Sequence, residues 1–121
     1  MGKVILVVDD FNSTRQVIRS ILEKKGYTVI LAENGEGAMK ELNVRNIDLI
    51  LTDLNMPGIN GIDLVKAVRN SPDYYRVPVL MLTTEMKNEK IQMAHDAGVT
   101  GIIKKPFNTD EFTKKVDRIL Q

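Results

Sequence analysis

The run Val4-Ile5-Leu6-Val7-Val8 has no polar residue in alternation, and this restricts the fold more than any other feature of the chain. A strand with one wet face alternates apolar and polar side chains, whereas an unbroken branched or leucine run is covered on both faces. Strands of that kind belong to parallel sheets, because the crossover helices cover both sides. The run stops at Asp9-Asp10, so two carboxylates follow directly on a buried strand.

The same arrangement recurs along the chain. Residues 27–31 read as a second strand, and residues 47–52 as a third that ends at Asp53. The loop after Asp53 carries Pro57-Gly58 and Asn60-Gly61, which turn the chain over the surface. Residues 77–82 form a fourth strand, entered through Pro78 where a missing donor is tolerated, and followed by Thr83-Thr84-Glu85. Gly101–Lys104 forms a fifth, which runs into Lys105-Pro106.

Helical spacing fills the intervals. Asn12 or Ser13 is expected to cap a first helix with an apolar stripe of Val17, Ile18, Ile21 and Leu22, closed by Gly26. A second opens at Asn34 or Gly35 and runs to about Val44, and a third carries Ile62, Val65 and Val68. After a polar connector over 70–76, a fourth helix spans Asn88–Ala97 and stops at Gly98. The last opens at Asn108 or Thr109, has Asp110 and Glu111 in its first turn, and buries Phe112, Val116 and Ile119. Five strands alternating with five helices make an α/β protein, a doubly wound parallel sheet with right-handed crossovers.

Composition narrows the chemistry. At 121 residues the chain fits one domain, residues 1–121. Seventeen basic residues against sixteen acidic ones give a net charge of +1, so nothing general draws it to nucleic acid or an anionic membrane. With no cysteine and one histidine, His95, disulfides, thiolate catalysis and Cys or His metal clusters are excluded. No apolar run approaches a membrane span and no leader is evident, so a cytoplasmic location is expected. His95 reads as a solvent-facing helix residue, and Tyr74-Tyr75 as packing or surface residues.

In an open parallel sheet, ligands bind beyond the carboxyl ends of the strands. Those ends carry Asp9 and Asp10, Asp53, Thr83 and Lys105, which are complementary in chemistry as well as polar. Two like charges ~4 Å apart repel by roughly 4 kcal/mol at an effective dielectric near 20, so three carboxylates in one cleft call for a cation or raised pKa values. All-oxygen ligands favour a hard ion, and Mg2+, which keeps waters and takes one or two carboxylates with a phosphate oxygen, suits the set. The reaction this implies is phosphoryl transfer onto the Asp53 carboxylate, with Thr83 and Lys105 on the remaining phosphoryl oxygens. A flavodoxin-like nucleotide binder fits poorly, since Asp9-Asp10 would repel a phosphate where an anion cradle is needed. A small Mg2+-dependent phosphohydrolase with an aspartyl nucleophile uses related chemistry but would want a general acid beside Asp53, where Leu54-Asn55 stand.

The acidic pair in VVDD, Asp53 in LTDLNMPGINGIDL, Thr83 in MLTTE and Lys105 in KKPF together resemble the receiver domain of bacterial two-component response regulators, in particular the single-domain chemotaxis type. The resemblance covers essentially the whole chain. It implies a flavodoxin-like (βα)5 fold with sheet order 2-1-3-4-5. Asp53 would be the phosphoacceptor, with Asp10, Asp53 and the main-chain carbonyl of Asn55 on Mg2+ and Asp9 acting largely through water. Thr83 would be the switch hydroxyl, Lys105 the phosphate-sensing cation, and Lys105-Pro106 a cis bond.

Asn55 and Glu85 are the side chains chemotaxis-type regulators carry at those positions, where they are associated with fairly quick self-dephosphorylation, and Thr84 would partly shield the phosphoryl group. Ile102 departs from the pattern, standing where the flagellar regulators carry an aromatic rotamer switch. The output face implied is the fourth helix, fifth strand and fifth helix, with Ile91, Ile102, Pro106 and Met86 or Met93 at its surface. Implied partners are a sensor histidine kinase, a downstream target such as the flagellar motor switch, and a phosphatase, and a monomer that catalyses only its own phosphorylation and dephosphorylation is expected. A receiver in a non-chemotaxis phosphorelay, a phosphorylation-independent binding module and the phosphohydrolase remain as alternatives.

Overall fold

Burial decides which strands lie inside the sheet. In the computed structural model, which describes residues 2–121, β1 (Val4–Val8), β3 (Leu49–Thr52) and β4 (Val79–Thr83) are buried almost throughout. They form the centre of a five-stranded sheet of order β2-β1-β3-β4-β5, with every pairing parallel. The half-exposed β2 (Thr28–Ala32) and β5 (Gly101–Lys104) are the edges. The parallel doubly wound sheet expected from the sequence is therefore the one observed, in the expected order.

Successive side chains of the inner strands point to opposite faces, which separates two cores. Leu6, Val8, Ile50, Val79 and Met81 pack on one side beneath α2 (Gly35–Val44), α3 (Gly61–Arg69) and α4 (Asn88–Ala97). Ile5, Val7, Leu49, Leu51, Leu80 and Leu82 pack on the other against Ile18 and Leu22 of α1 (Asn12–Lys24) and Phe112 and Val116 of α5 (Thr109–Leu120). Each side chain buried in this way contributes about 1.5–3 kcal/mol, so the two cores hold the sheet on which the loops stand.

The helix ends are set by short polar side chains where the sequence supplies them. Asn34 caps α2 by accepting from Gly37 N–H (2.7 Å), Asn60 caps α3 through Asp63 N–H (2.9 Å), and Asn108 caps α5 through Asp110 and Glu111 N–H. Gly26, at φ 93°, and Gly98, at φ 108°, end α1 and α4 in the left-handed region that favours glycine.

Several expected boundaries shift. α1 has neither Asn12 nor Ser13 as its cap: Phe11 occupies that position and, having no side-chain acceptor, makes no cap bond, while its own N–H donates to the Asp9 carboxylate (2.9 Å). Val17 lies outside the apolar stripe at 56% exposure. β2 begins at Thr28 rather than Tyr27, whose N–H closes the helix end onto Leu22 O (3.2 Å). β3 begins at Leu49 rather than Ile47, after Asp48, whose carboxylate accepts from Val4 N–H (2.8 Å). β4 begins after the donorless Pro78 and takes in Thr83.

Candidate functional site

The carboxyl ends of β1 and β3 are adjacent, because Val8 pairs with Thr52 in the ladder. The next residues, Asp9 and Asp53, leave the sheet together, and Asp9, Asp10 and Asp53 each bring a carboxylate oxygen to within 4.8 Å of the other two. The three carboxylates singled out in the sequence are thus one cluster, with Asp9 buried and Asp10 and Asp53 half-buried. β4 and β5 complete the crevice: Thr83 pairs with Lys104, and Lys105 follows immediately.

Lys105 bridges the cluster. Its ammonium donates to Asp9 Oδ2 (3.1 Å) and Asp53 Oδ2 (3.3 Å), and its peptide bond to Pro106 is cis. A compact point charge serves two carboxylates at once better than a planar fork would. The other oxygen of Asp53 accepts from Leu54 N–H (2.7 Å). Burial is the largest influence on Asp53 and pushes its pKa above the usual carboxylate range; the Lys105 charge pulls it down and the Asp9 charge pushes it up again.

Asp9 is saturated. Its Oδ1 accepts from Phe11 N–H, its Oδ2 from Lys105, and its main-chain carbonyl from the Arg15 guanidinium. Asp10 contrasts with it, since its Oδ1 is buried and has no hydrogen-bond partner. An orphaned carboxylate oxygen inside a three-carboxylate cluster has a lone pair free for a hard cation, so the residues present fit Mg2+. They also distinguish Asp10 from the other two acids: its Oδ1 has no competing donor, whereas each carboxylate oxygen of Asp9 and Asp53 already accepts one hydrogen bond.

Thr83 is fully buried, and its Oγ1 accepts from Glu85 N–H (3.0 Å). A hydroxyl that accepts keeps its own hydrogen for another partner. Glu85 closes the rest of the β4–α4 loop by accepting from Met86 and Lys87 N–H (both 3.2 Å), with Lys90 3.9 Å away. Its carboxyl is held below the usual range, chiefly by the Lys87 amide, and the Asn55 side chain contributes in the same direction. Asn55 and Glu85 stand two residues beyond Asp53 and Thr83. Thr84 and Pro106 are exposed.

The output-face residues behave less uniformly. Ile91 and Ile102 are half-buried, and Ile102 packs against the core under α4, so the apolar surface there comes instead from Met86 and Met93, 75% and 49% exposed. His95 is exposed on α4, Tyr75 is exposed, and Tyr74 packs on the core.

Two residues that shape the site went unassigned by sequence reasoning. Gly61 was legible only as a turn residue, yet a Cβ there would lie 2.2 Å from Asp53 O and 2.9 Å from Leu54 Cα. The bare backbone lets α3 start against the acceptor loop, where Gly61 N–H donates to Leu54 O (2.8 Å). Arg15, on the first helix, reaches back to the Asp9 carbonyl. No pattern in the sequence marks a contact between a side chain and a main-chain carbonyl six residues earlier.

An α/β sheet with an acidic triad, a buried hydroxyl and a bridging lysine at its carboxyl edge defines a receiver. Residues 5–117 match the response regulator receiver domain family, and the chain belongs to it. Among its relatives, the chemotaxis protein CheY of Pseudomonas aeruginosa is 41% identical over 118 residues, 97% of this chain and 95% of that protein. CheY-3 of Vibrio cholerae is 40% identical over 97% of this chain and 91% of its own length. The fold superposes on the crystallised CheY4 of Vibrio cholerae with a TM-score of 0.93 at 39% identity, over 99% of this chain and all of that one. A receiver domain from a histidine kinase of Syntrophus aciditrophicus gives the same score at 28% identity, over 98% of this chain and 90% of that one. The chain is a CheY-like signalling protein of the two-component system type. Among the described residues no helix is long and apolar enough to cross a membrane.

Proposed function

We propose that residues 1–121 act as one receiver domain that takes a phosphoryl group on Asp53 and changes its protein-binding surface in response, in chemotactic control of a flagellar motor. The observation that carries this reading is the pairing of a lysine-bridged Asp53 with the unpartnered Oδ1 of Asp10. Asp10, Asp53 and the Asn55 carbonyl would hold Mg2+, with Asp9 acting through water, and the bound ion would supply charge neutralisation for the transferring phosphoryl group.

The donor is a phosphohistidine of a sensor kinase. An Asp53 carboxylate oxygen attacks phosphorus, the P–O bond forms as the P–N bond breaks, and the electron pair leaves on the imidazole of the donor. Asp53 needs no general base, because a carboxylate carries its own lone pair. Lys105 then follows the new phosphoryl oxygens, and Thr83 turns its free hydrogen toward them. That movement strains the Thr83-to-Glu85 bond and shifts the β4–α4 loop, which biases the face formed by α4, β5 and Pro106. Ile102 has no ring hydroxyl to report the shift, so the exposed Met86 and Met93 carry the altered contact with the downstream target. Asn55 and Glu85 set how fast water removes the phosphoryl group, with Thr84 screening its approach, and a phosphatase acts at the same rim. The protein works in the cytoplasm as a monomer.

A phosphohydrolase is less well supported. Such an enzyme wants a general acid beside its nucleophile, and the residues that follow Asp53 are Leu54 and Asn55. Incubation with a small acyl phosphate and Mg2+ tests the reading: the intact protein should gain the mass of one labile phosphoryl group, and Asp53→Asn should not. Steady turnover of varied phosphoesters without that mass would favour the hydrolase.

A further inference from the structure

Asp9 is fixed at every polar atom. Its N–H donates to Ala32 O (3.2 Å), its carboxylate is taken by Phe11 N–H and Lys105, and its carbonyl by Arg15. The next residue, Asp10, carries the one buried side-chain oxygen without a partner among the described residues. The peptide that joins them is therefore held from the Asp9 side.

Arg15 supplies a separate part of the hold. It is half-buried in the opening turns of α1, a helix with no acidic residue in its first turn and no side-chain cap. A cation near a helix N-terminus is opposed by the helix dipole, so the helix itself gains nothing from it. The guanidinium instead spans the Asp9 carbonyl and Asn12 Oδ1 (3.4 Å), two acceptors a forked donor can reach together.

We propose that Arg15 is a positioning residue of the metal site: by holding the Asp9 carbonyl it fixes the Asp9-Asp10 peptide, and so presents Asp10 Oδ1 to Mg2+. The proposal rests on the receiver reading above. It runs against simple electrostatics, under which a nearby positive charge weakens cation binding and its removal tightens it. Outer contacts that orient metal ligands typically change affinity by 10–100-fold when lost, and a contact to the main chain rather than to the ligand itself belongs at the lower end.

The test is calorimetric titration of Mg2+ into wild type, Arg15→Met and Arg15→Lys, with thermal melts of each metal-free protein. Arg15→Met keeps the apolar stem and removes the donors; it should bind Mg2+ about tenfold more weakly. Arg15→Lys, which can still donate to the Asp9 carbonyl, should recover most of that loss. In phosphorylation by a small acyl phosphate, Arg15→Met should need about tenfold more Mg2+ for half-maximal rate and reach the wild-type rate at saturation. Tighter Mg2+ binding by Arg15→Met overturns the proposal, as does unchanged affinity with a lowered melting temperature. If wild type binds Mg2+ and only the Arg15 variants behave otherwise than expected, the receiver reading survives alone. If wild type binds no Mg2+, both fall.

Discussion

Replacing Asp53 by Asn should stabilise the metal-free protein at neutral pH, because the carboxylate is charged against burial and against two neighbouring acids. Asp9, Asp10 and Asp53 lie within 4.8 Å of one another through one oxygen each. At an effective dielectric near 20, each like-charge pair at that separation costs about 3.5 kcal/mol. The Lys105 ammonium, 3.3 Å from Asp53, returns about 5 kcal/mol. Neutralising Asp53 removes two repulsions and one attraction, a net gain of about 2 kcal/mol, worth several degrees of melting temperature in a domain of this size.

The pH dependence has a definite sign. Burial raises the Asp53 pKa in the folded state, so the native protein binds more protons than the unfolded chain between the ordinary value of 3.8 and the raised one. Stability is thus lost as pH climbs through that window, and the advantage of Asp53→Asn should shrink as pH falls back through it. Scanning calorimetry in chelator at neutral and mildly acid pH measures both effects. An Asp53→Asn protein no more stable than wild type at neutral pH would refute the load assigned to the cluster. Mg2+ at a hundred times its Kd should then stabilise wild type by about 2.7 kcal/mol and the variant by much less.

Gly61→Ala should cost about 3 kcal/mol, since its Cβ would press on backbone rather than on a side chain that can swing away; a melting temperature within a degree or so of wild type would show that the acceptor loop yields. The Tyr27 hydroxyl donates to Asp117, and its pKa is pushed up to about 12, first by burial and then by that carboxylate. Native Tyr27 therefore holds its proton where the unfolded chain has released it, and stability should fall as pH climbs from 10.0 toward 12. Tyr27→Phe should lose less stability than wild type over that interval in melts, and parallel curves would discount the bond.

The parts of this fold that were legible in the sequence are those in which one residue type has one use. Val4–Val8 can only be a doubly covered strand, and Asp53 after 49–52 can only be a carboxylate at a sheet edge. Asn34 and Asn108 cap helices because a short acceptor stands where amides are free. What escaped depends on competition or on distance. The cap of α1 falls before its candidates Asn12 and Ser13, on a Phe11 tied to Asp9, and Tyr27 was drawn into a helix end although it looks like a strand residue. The roles of Arg15 and Gly61 exist only once the chain has folded back on itself. Ile102 reads as a surface position until the packing under α4 half-buries it.

The central claim is that Asp53 is the group that receives the phosphoryl. After phosphorylation with Mg2+ and an acyl phosphate, borohydride reduction converts an aspartyl phosphate into homoserine, and peptide mass mapping locates it. The account predicts homoserine at position 53 and at no other aspartate. Homoserine at Asp9 or Asp10, or a phosphorylated protein with Asp53 unmodified, would contradict it.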